Sequence, residues 1–255
     1  MRHWEKQTTD LAHSFQLNGY VFVPNFVTGA DLARLTSTVD RYLREIAPQL
    51  PDTDVFYEDK TDRTTIKQMQ HMHRHEPYFA EFLQGRAARL AEVLLGEPVV
   101  PQGVEYFNKP ARVGKPTPAH QDGYYFKLLP NHAITLWLAL EDVDRENGCV
   151  RYVQGSHRHG LRAHGRSGVL GFSQGMLDFP QPDDLAHGVA CPAVAGDLLC
   201  HHSLTIHWAE GNTSANRTRR ALGLVYYAAS CQDDVVAKQA YHEQLHQELR
   251  TTGKI

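Results

Sequence analysis

The sequence predicts a mainly β fold with flanking helices, arranged as an antiparallel sandwich or barrel. From about residue 99, short β-rich runs alternate with Gly, Pro, Asn and Asp turns: VVPQGVEYF, AITLWLAL, GCVRYV, DLLCHHSLTIHW and RALGLVYYAA. Short strands spaced in this way are typical of all-β sandwiches and barrels. Helical periodicity is confined to the two ends of the chain. With 255 residues and no repeat, linker or low-complexity segment, a single domain over residues 1–255 is predicted.

The predicted domain has a helical part at about 1–97, a β core at about 98–230 and a C-terminal helix at about 232–250. The helical part opens with a β-like run at Tyr20–Val23, and Thr28 with Asp31 forms a capping-box-like helix start. Apolar residues at helical spacing then form one stripe: Leu32, Leu35, Val39, Leu43 and Ile46. The segment EPYFAEFLQGRAARLAEVLLG predicts a second helix that ends at Gly96. DDVVAKQAYHEQLHQELR predicts the C-terminal helix.

Composition and charge argue against several classes of partner. Hydrophobic residues make up 42% of the chain and charged residues 22%, as in ordinary globular proteins. A formal net charge of −3 gives no reason to expect nucleic acid or an anionic membrane. The start, MRHWEKQTTDLAHSF, lacks the apolar core of a signal peptide, and the longest apolar runs are too short for a membrane span. The four cysteines are scattered and no secretion signal precedes them, so a cytoplasmic protein with reduced thiols is expected. With nucleic acid and membrane disfavoured, the expected partner is a small-molecule substrate.

The stretch HQDGYYFKLL contains a candidate metal-binding pair, His120 and Asp122. Residues i and i+2 of a strand share a face, so both side chains are expected to point at one ion while Gln121 faces away. A third ligand must come from another strand, and DLLCHHSLTIHW offers three histidines: His201, His202 and His207. Two histidines and one carboxylate form the facial triad of non-haem Fe(II) oxygenases, which leaves three metal positions open.

The segment after the third histidine, HWAEGNTSANRTRRALGLVYY, contains a candidate anion-binding residue. Polar turn residues lead to Arg219 and Arg220, which open an apolar strand. An arginine at the mouth of a β core needs a carboxylate, because an isolated buried guanidinium is costly. A dicarboxylic co-substrate would supply one through a bidentate, charge-assisted pair.

Aromatic side chains bracket the candidate ligands, and core packing is the first expectation for each of them: Tyr106, Phe107, Tyr124, Tyr125, Phe126 and Trp208. Those beside the ligands are candidates for the substrate pocket, where an aromatic face could also hold a cation. Glu105, on the strand before the metal motif, is a polar candidate for the same pocket. The substrate-contacting residues predicted here are Glu105, Tyr124, Phe126 and Trp208.

Four stretches together resemble the phytanoyl-CoA dioxygenase family of Fe(II)/2-oxoglutarate-dependent oxygenases. They are NGYVFVPNFVTGADLARL, HQDGYYF, TLWLALEDVDRENGCVRYVQGSHRHG and GDLLCHHSLTIH…NRTRRALGLVYY, in the family's order and across nearly the whole chain. The resemblance implies a double-stranded β-helix, the cupin-like jelly roll. It also implies Fe(II), 2-oxoglutarate as co-substrate, and O2.

The resemblance also implies roles for individual residues. Three residues would ligate iron: His120, Asp122 and His207. Arg219 would hold the distal carboxylate of 2-oxoglutarate, with Trp137 and Lys67 as further co-substrate contacts.

This sequence departs from the family pattern at three places. The stretch from His207 to Arg219 is one residue longer than is common, so Arg220 stays a rival for the carboxylate. Ala209 stands where many members carry a serine that touches the co-substrate. Gln154 replaces the proline usually found before GSH, a change in a turn rather than in the chemistry.

The reaction implied by the resemblance is hydroxylation of an unactivated C–H bond, with decarboxylation of 2-oxoglutarate to succinate and CO2. Halogenating relatives lack the carboxylate ligand, so Asp122 favours hydroxylation, or desaturation or cyclisation of a natural-product scaffold. The absence of a basic run for a CoA phosphate favours a small polar or natural-product substrate. Two other classes stay open: a zinc-dependent hydrolase with the same triad, and a non-catalytic jelly-roll binding protein.

Overall fold

The computed structural model describes residues 4–51, 53–169, 172–240 and 243. The α-helices whose two ends both lie within these ranges are α1 (Thr8–Asn18), α2 (Gly29–Arg41), α3 (Pro77–Gln84), α4 (Arg86–Leu95), α5 (Gly123–Phe126) and α6 (Pro182–Ala186). The early strands are β1 (Tyr20–Val23), β2 (Val55–Tyr57), β3 (Ile66–Met69), β4 (Val99–Lys109), β5 (Thr117–His120), β6 (Leu128–Leu129) and β7 (Ala133–Ala139). The later strands are β8 (Val150–Val153), β9 (His164–Val169), β10 (Phe172–Met176), β11 (Gly188–Cys191), β12 (Leu198–His202), β13 (His207–Ala209), β14 (Arg219–Ala228) and β15 (Gln232–Asp233).

Two antiparallel sheets form the centre of the fold. The larger has seven strands in the order β1-β12-β7-β14-β4-β3-β2, and the smaller has four in the order β11-β8-β13-β5. They pack face to face through a shared apolar cluster that includes Trp137 and Leu199 from the large sheet and Val150 and Tyr152 from the small one. β9 and β10 pair antiparallel, and β6 pairs with β15. The predicted mainly β architecture with flanking helices is confirmed.

The large sheet is covered on both faces, which explains its apolar sequence. Strand β7 is buried at every position of AITLWLA. Because side chains alternate along a strand, Leu136 and Leu138 join the main core against the helices, whereas Thr135 and Trp137 lie on the opposite face, at the wall of a cavity. One strand therefore contributes to the core with one face and to the cavity with the other.

The helices follow the predictions with four differences. The helix predicted after Thr28 forms as α2 and continues as a short π-helix over Tyr42–Ile46. Thr28 is its N-cap residue but makes no side-chain capping hydrogen bond, so the predicted capping box does not form. The helix predicted up to Gly96 is divided at Gly85 into α3 and α4. Helix α1 was not predicted, because its sequence TTDLAHSFQLN buries only Phe15 and has no apolar stripe.

At the C-terminus, residues 235–240 and 243 are helical. Gln232 and Asp233, at the predicted start of this helix, instead form β15 and pair with β6. Residues 241–242 and 244–250 of the predicted helix lie outside the described residues. Among the described helices, none combines the length and apolarity needed to cross a membrane.

Candidate metal centre and adjoining cavity

Two strands of the small sheet bring the candidate histidines together. β5 and β13 pair antiparallel with His120 directly opposite His207, and the two imidazole centroids lie 4.1 Å apart. Asp122 arrives by another route, because β5 ends at His120 and the chain turns into α5, with Asp122 at φ −56° and ψ −34°. The expectation that Asp122 continues the strand is wrong, although the turn brings its carboxylate to the same point.

The three candidate ligands offer donor atoms to one position. Oδ1 of Asp122 lies 3.5 Å from Nε2 of His120 and 3.6 Å from Nε2 of His207, and the ligand atoms all lie within 4.8 Å of one another. Ligand atoms about 2.1 Å from an ion and at right angles lie about 3 Å apart. Small side-chain shifts would therefore close all three donors on one ion.

Both imidazoles are oriented by a backbone carbonyl. Nδ1–H of His120 donates to the carbonyl of Pro118 at 2.8 Å, and Nδ1–H of His207 donates to that of Thr205 at 3.0 Å. These bonds leave the Nε2 lone pairs for the centre, the usual arrangement of metal-binding histidines. Burial, with neighbouring imidazoles, lowers the pKa of His207 well below its usual value, so its ring stays neutral.

The carboxylate of Asp122 is held through its other oxygen. Oδ2 accepts hydrogen bonds from Oγ1 of Thr135 at 2.6 Å and from Nε2–H of His201 at 3.1 Å. The hydroxyl of Tyr152 donates in turn to Nδ1 of His201 at 3.0 Å. Burial acts to raise the pKa of Asp122, but the adjacent imidazole of His207 and the hydrogen bond from His201 outweigh it and hold that pKa well below its usual value. Oδ1 is thus left for a metal on an ionised carboxylate.

Gln121, between the two ligands of the HQD motif, faces away from the centre as expected. It is fully buried. Its Nε2 donates to the carbonyls of Gly160 at 2.9 Å and Leu204 at 2.7 Å, and its Oε1 accepts from the backbone N–H of Arg162 at 2.8 Å. The side chain therefore anchors the turn that carries Asp122.

A cavity of about 210 Å³ adjoins this centre. Apart from the three candidate ligands, its wall includes charged, polar and aromatic side chains: Lys67, Gln68, Gln70, Glu105, Phe107, Asn108, Lys109, Thr117, Tyr125, Phe126, Thr135, Trp137, His201, Trp208 and Arg219.

One end of the cavity is strongly basic. Lys109 and Arg219 stand opposite each other on β4 and β14, and Lys67 lines the wall while it pairs with Glu58 at 3.5 Å. Lys109 donates to Oγ1 of Thr117 at 3.0 Å. Sequence reasoning identified Lys67 and Arg219 and missed Lys109, which is recognisable only from the register of the strands.

At the basic end of the cavity, the guanidinium of Arg219 is the cation that most needs a negatively charged partner. It is 4% exposed, and among the described residues its Nε has no hydrogen-bond partner. The guanidinium lies over the ring of Trp137, 5.4 Å from its centroid. Burial lowers the pKa of Arg219 to about 10. A buried cation of this kind fits a carboxylate group well.

Arg220, the rival of Arg219, points away from the cavity. Its Nε lies 3.1 Å from Oε2 of Glu141, and its Nη1 lies 2.7 Å from Oδ1 of Asp40. The longer stretch before the two arginines therefore leaves Arg219 on the cavity side. Ala209 lines the cavity without a hydroxyl.

Three of the four predicted substrate contacts lie at the cavity wall: Glu105, Phe126 and Trp208. Tyr124 does not. It stacks on His164 with centroids 4.5 Å apart, and the ammonium of Lys127 lies 3.5 Å above its ring. Its neighbour Tyr125 lines the cavity instead, because the chain is helical there and successive side chains do not alternate as in a strand.

Comparison with known proteins assigns the chain to a family. The family model for phytanoyl-CoA dioxygenase matches residues 15–221. The chain belongs to the phytanoyl-CoA dioxygenase family. Peroxisomal phytanoyl-CoA dioxygenase of Mus musculus is 28% identical over 233 residues, which cover 86% of this chain and 68% of that protein.

Solved structures agree with this family assignment. The α-ketoglutarate-dependent epimerase SnoN from nogalamycin biosynthesis is 25% identical with a TM-score of 0.70, covering 89% of this chain and 85% of its own. The carbocyclase SnoK from the same biosynthesis is 25% identical with a TM-score of 0.69, covering 88% and 85%. The predicted jelly roll is confirmed, and the protein is an Fe(II)- and 2-oxoglutarate-dependent dioxygenase. This sets aside the zinc hydrolase and the non-catalytic binding protein.

Proposed function

We propose that this dioxygenase hydroxylates an unactivated C–H bond of a small molecule. The C–H bond, O2 and 2-oxoglutarate give the alcohol, succinate and CO2, so one oxygen atom of O2 enters the product and the other enters succinate. The observation that carries the proposal is the complete His120, Asp122 and His207 set beside a cavity with a buried Arg219. Residues 1–255 would act as one catalytic domain, because helices and large sheet share one core.

The proposed iron ligands are Nε2 of His120, Nε2 of His207 and Oδ1 of Asp122. Iron and 2-oxoglutarate, when bound, supply the activation of dioxygen. Three ligands from the protein leave three positions of an octahedron, enough for a bidentate co-substrate and O2. The carbonyls behind both imidazoles and the bonds to Oδ2 of Asp122 support this assignment, since they fix each donor before an ion arrives.

The proposed site for the distal carboxylate of 2-oxoglutarate is the basic end of the cavity. Arg219 offers a planar fork of N–H donors that matches a carboxylate in a bidentate pair. Lys109 beside it and Lys67 add positive charge, and Trp137 flanks the guanidinium. Arg220 is engaged elsewhere.

A second candidate reaction is desaturation or cyclisation on a natural-product scaffold. Its support is the similarity to SnoK, which is a carbocyclase from nogalamycin biosynthesis. The product separates the candidates: hydroxylation adds one oxygen atom, which labelled O2 would mark, whereas desaturation and cyclisation each remove two hydrogen atoms.

The test of the site is an anaerobic titration with Fe(II) and 2-oxoglutarate, read by the visible charge-transfer absorption of the chelate. Wild type and Arg220→Ala should show the absorption, whereas Asp122→Ala and Arg219→Ala should lose or weaken it. Absence of absorption and of 2-oxoglutarate affinity in the wild type would overturn the proposal. Candidate substrates are then screened by stimulated succinate release and by product mass.

A further inference from the structure

The inner face of the large sheet separates two kinds of charge. Lys109 stands opposite Arg219, whereas Glu105 stands opposite Gly223, which in turn stands opposite Trp137. Glu105 and Lys109 are four residues apart on one face of β4, which is about 13 Å along the strand. Glu105 is therefore well separated along the sheet from the pair formed by Lys109 and Arg219.

Glu105 lies toward the metal end instead. Thr135, which donates to Asp122, is two residues from Trp137 on β7 and so occupies the next row of the same face. Gly223, between Glu105 and Trp137, has no side chain, and a Cβ there would lie 2.7 Å from the ring of Phe107. The glycine thus makes room for the Phe107 ring, which lines the cavity.

The immediate surroundings of Glu105 lack a positive charge. Gln68 donates from Nε2 to Oε2 of Glu105 at 3.2 Å. Burial is the largest influence on the pKa of Glu105. Together with the nearby carboxylate of Asp122, it outweighs the hydrogen bond from Gln68 and raises that pKa to about 7. Neither Gln68 nor Asp122 is cationic, and no lysine, arginine or histidine of the described chain forms an ion pair with Glu105.

Gln68 offers a second acceptor at the same place. It is 4% exposed and lines the cavity. Its Nε2 is engaged by Glu105, and among the described residues its Oε1 is buried without a hydrogen-bond partner. A buried acceptor without a donor costs about 1–3 kcal/mol, so a bound group with donors would be favoured there.

A cationic nitrogen suits this pair of acceptors better than other groups. An ammonium carries three N–H donors, enough for Glu105 and for Oε1 of Gln68, and its charge compensates the carboxylate. A hydroxyl would leave the charge uncompensated, and a substrate carboxylate would be repelled. The faces of Tyr125 and Phe126 on the cavity wall also suit a cation.

We propose that Glu105 and Gln68 bind a cationic nitrogen of the substrate and so place one of its C–H bonds at the metal end of the cavity. This inference rests on the proposed function. It narrows the substrate class to amines and other compounds with a positively charged nitrogen.

The test compares cations with neutral compounds of the same shape. The protein is loaded anaerobically with Fe(II) and 2-oxoglutarate and titrated calorimetrically with three pairs of probes: benzylammonium and benzyl alcohol, cyclohexylmethylammonium and cyclohexylmethanol, isopentylammonium and isopentanol. The variants are Glu105→Gln and Gln68→Leu. The matched control is Glu92→Gln, which removes an exposed carboxylate from α4.

At least one cation should bind the wild type about tenfold tighter than its neutral partner, as expected for a hydrogen bond to a charged group. The preference should fall below about twofold in Glu105→Gln, fall partly in Gln68→Leu and persist in Glu92→Gln. A preference that survives in Glu105→Gln would overturn the inference, as would a wild type without preference, including one that binds no probe.

The loading step separates the two proposals. If Fe(II) and 2-oxoglutarate give no charge-transfer absorption with the wild type, the proposed function is wrong, and the assignment of Glu105 and Gln68 to substrate binding is wrong with it. If the absorption appears but no cation is preferred, only the assignment of Glu105 and Gln68 is wrong.

Discussion

Replacing His201 with phenylalanine is expected to weaken metal binding, although His201 is not itself a proposed ligand. Its Nε2–H is one of two donors to Oδ2 of Asp122, at 3.1 Å, and the hydroxyl of Thr135 is the other. His201 is 2% exposed, so water cannot readily replace its hydrogen bond. Phenylalanine replaces the imidazole with a slightly larger aromatic ring that has neither the donor nor the acceptor.

The size of the effect follows from what each partner loses. Removing an outer partner of a metal ligand typically costs tenfold to hundredfold in affinity, about 1.4–2.7 kcal/mol. The buried hydroxyl of Tyr152 also loses its acceptor, Nδ1 of His201. That loss should lower the free energy of unfolding by about 1–3 kcal/mol.

The assay is anaerobic calorimetric titration with Fe(II), combined with denaturant unfolding of the apoprotein. His202→Phe is the matched control, because His202 follows His201 on β12 and bonds instead to His132 at 3.1 Å. His201→Phe should lose metal affinity and His202→Phe should keep it. The reasoning is refuted if His201→Phe binds Fe(II) within about twofold of the wild type, or if both variants lose affinity equally.

Three further predictions concern the co-substrate, pH and the turn at the metal centre. Arg219→Leu should weaken 2-oxoglutarate binding at least about tenfold in calorimetry, whereas Arg220→Leu should lower stability and spare that affinity; equal losses would contradict the assignment. Burial lowers the pKa of His202 from 6.5 to about 3 in the folded protein. Between these two values the unfolded chain binds a proton at this histidine and the folded protein does not, so the free energy of unfolding falls as the pH drops below about 6.5. His202→Phe should flatten the fall in denaturant midpoint between about pH 7 and pH 5, and an unchanged slope would exclude this histidine as its source. A Cβ on Gly123 would lie 2.4 Å from Asn131, so Gly123→Ala should cost about 1–3 kcal/mol and weaken Fe(II) binding; adding Asn131→Ala should recover part of both losses, and strict additivity would count against the clash.

The strand core could be predicted from sequence because burial on both faces leaves a clear signal. AITLWLAL and RALGLVYYAA are short apolar runs, and they correspond to β7 and β14 at the centre of the large sheet. Helix α1 escaped prediction for the opposite reason, since only Phe15 is buried in it. The break at Gly85 was also missed, because the apolar spacing continues through it.

The candidate ligands could be chosen from sequence, but the geometry at Asp122 could not. Spacing by two residues fits a strand, and the turn dipeptide Asp122-Gly123 does not by itself show that β5 ends before Asp122, at His120. The turn depends on Gly123, which packs against Asn131, and on Gln121, whose side chain bonds to three distant backbone groups. Contacts of this kind between distant segments leave no periodic pattern in the sequence.

Strand register explains why the roles of the remaining cavity residues could not be predicted from the sequence. Lys109 becomes a neighbour of Arg219, and His201 of Thr135, only when β4 pairs with β14 and β12 with β7. A shift of one residue in either pairing would send these side chains to the opposite face. The register in turn depends on the apolar residues of the helix-facing side, such as Leu222 and Leu224 on β14. The charges of the cavity are therefore positioned by the core on the other face of the same strands.

This dependence predicts that substitutions on the two faces of β7 differ in kind. Leu136→Ala empties part of the core and should lower the free energy of unfolding by about 2–5 kcal/mol, with Fe(II) affinity retained in the molecules that remain folded. Thr135→Val, one residue earlier, preserves volume and removes the 2.6 Å hydrogen bond to Asp122; it should weaken Fe(II) binding about tenfold or more while most of the stability remains. Metal titration and denaturant unfolding of both variants measure the two losses separately. If the two variants lost metal affinity and stability in the same proportion, the inference that one face of β7 supports the core and the other supports the metal centre would be wrong.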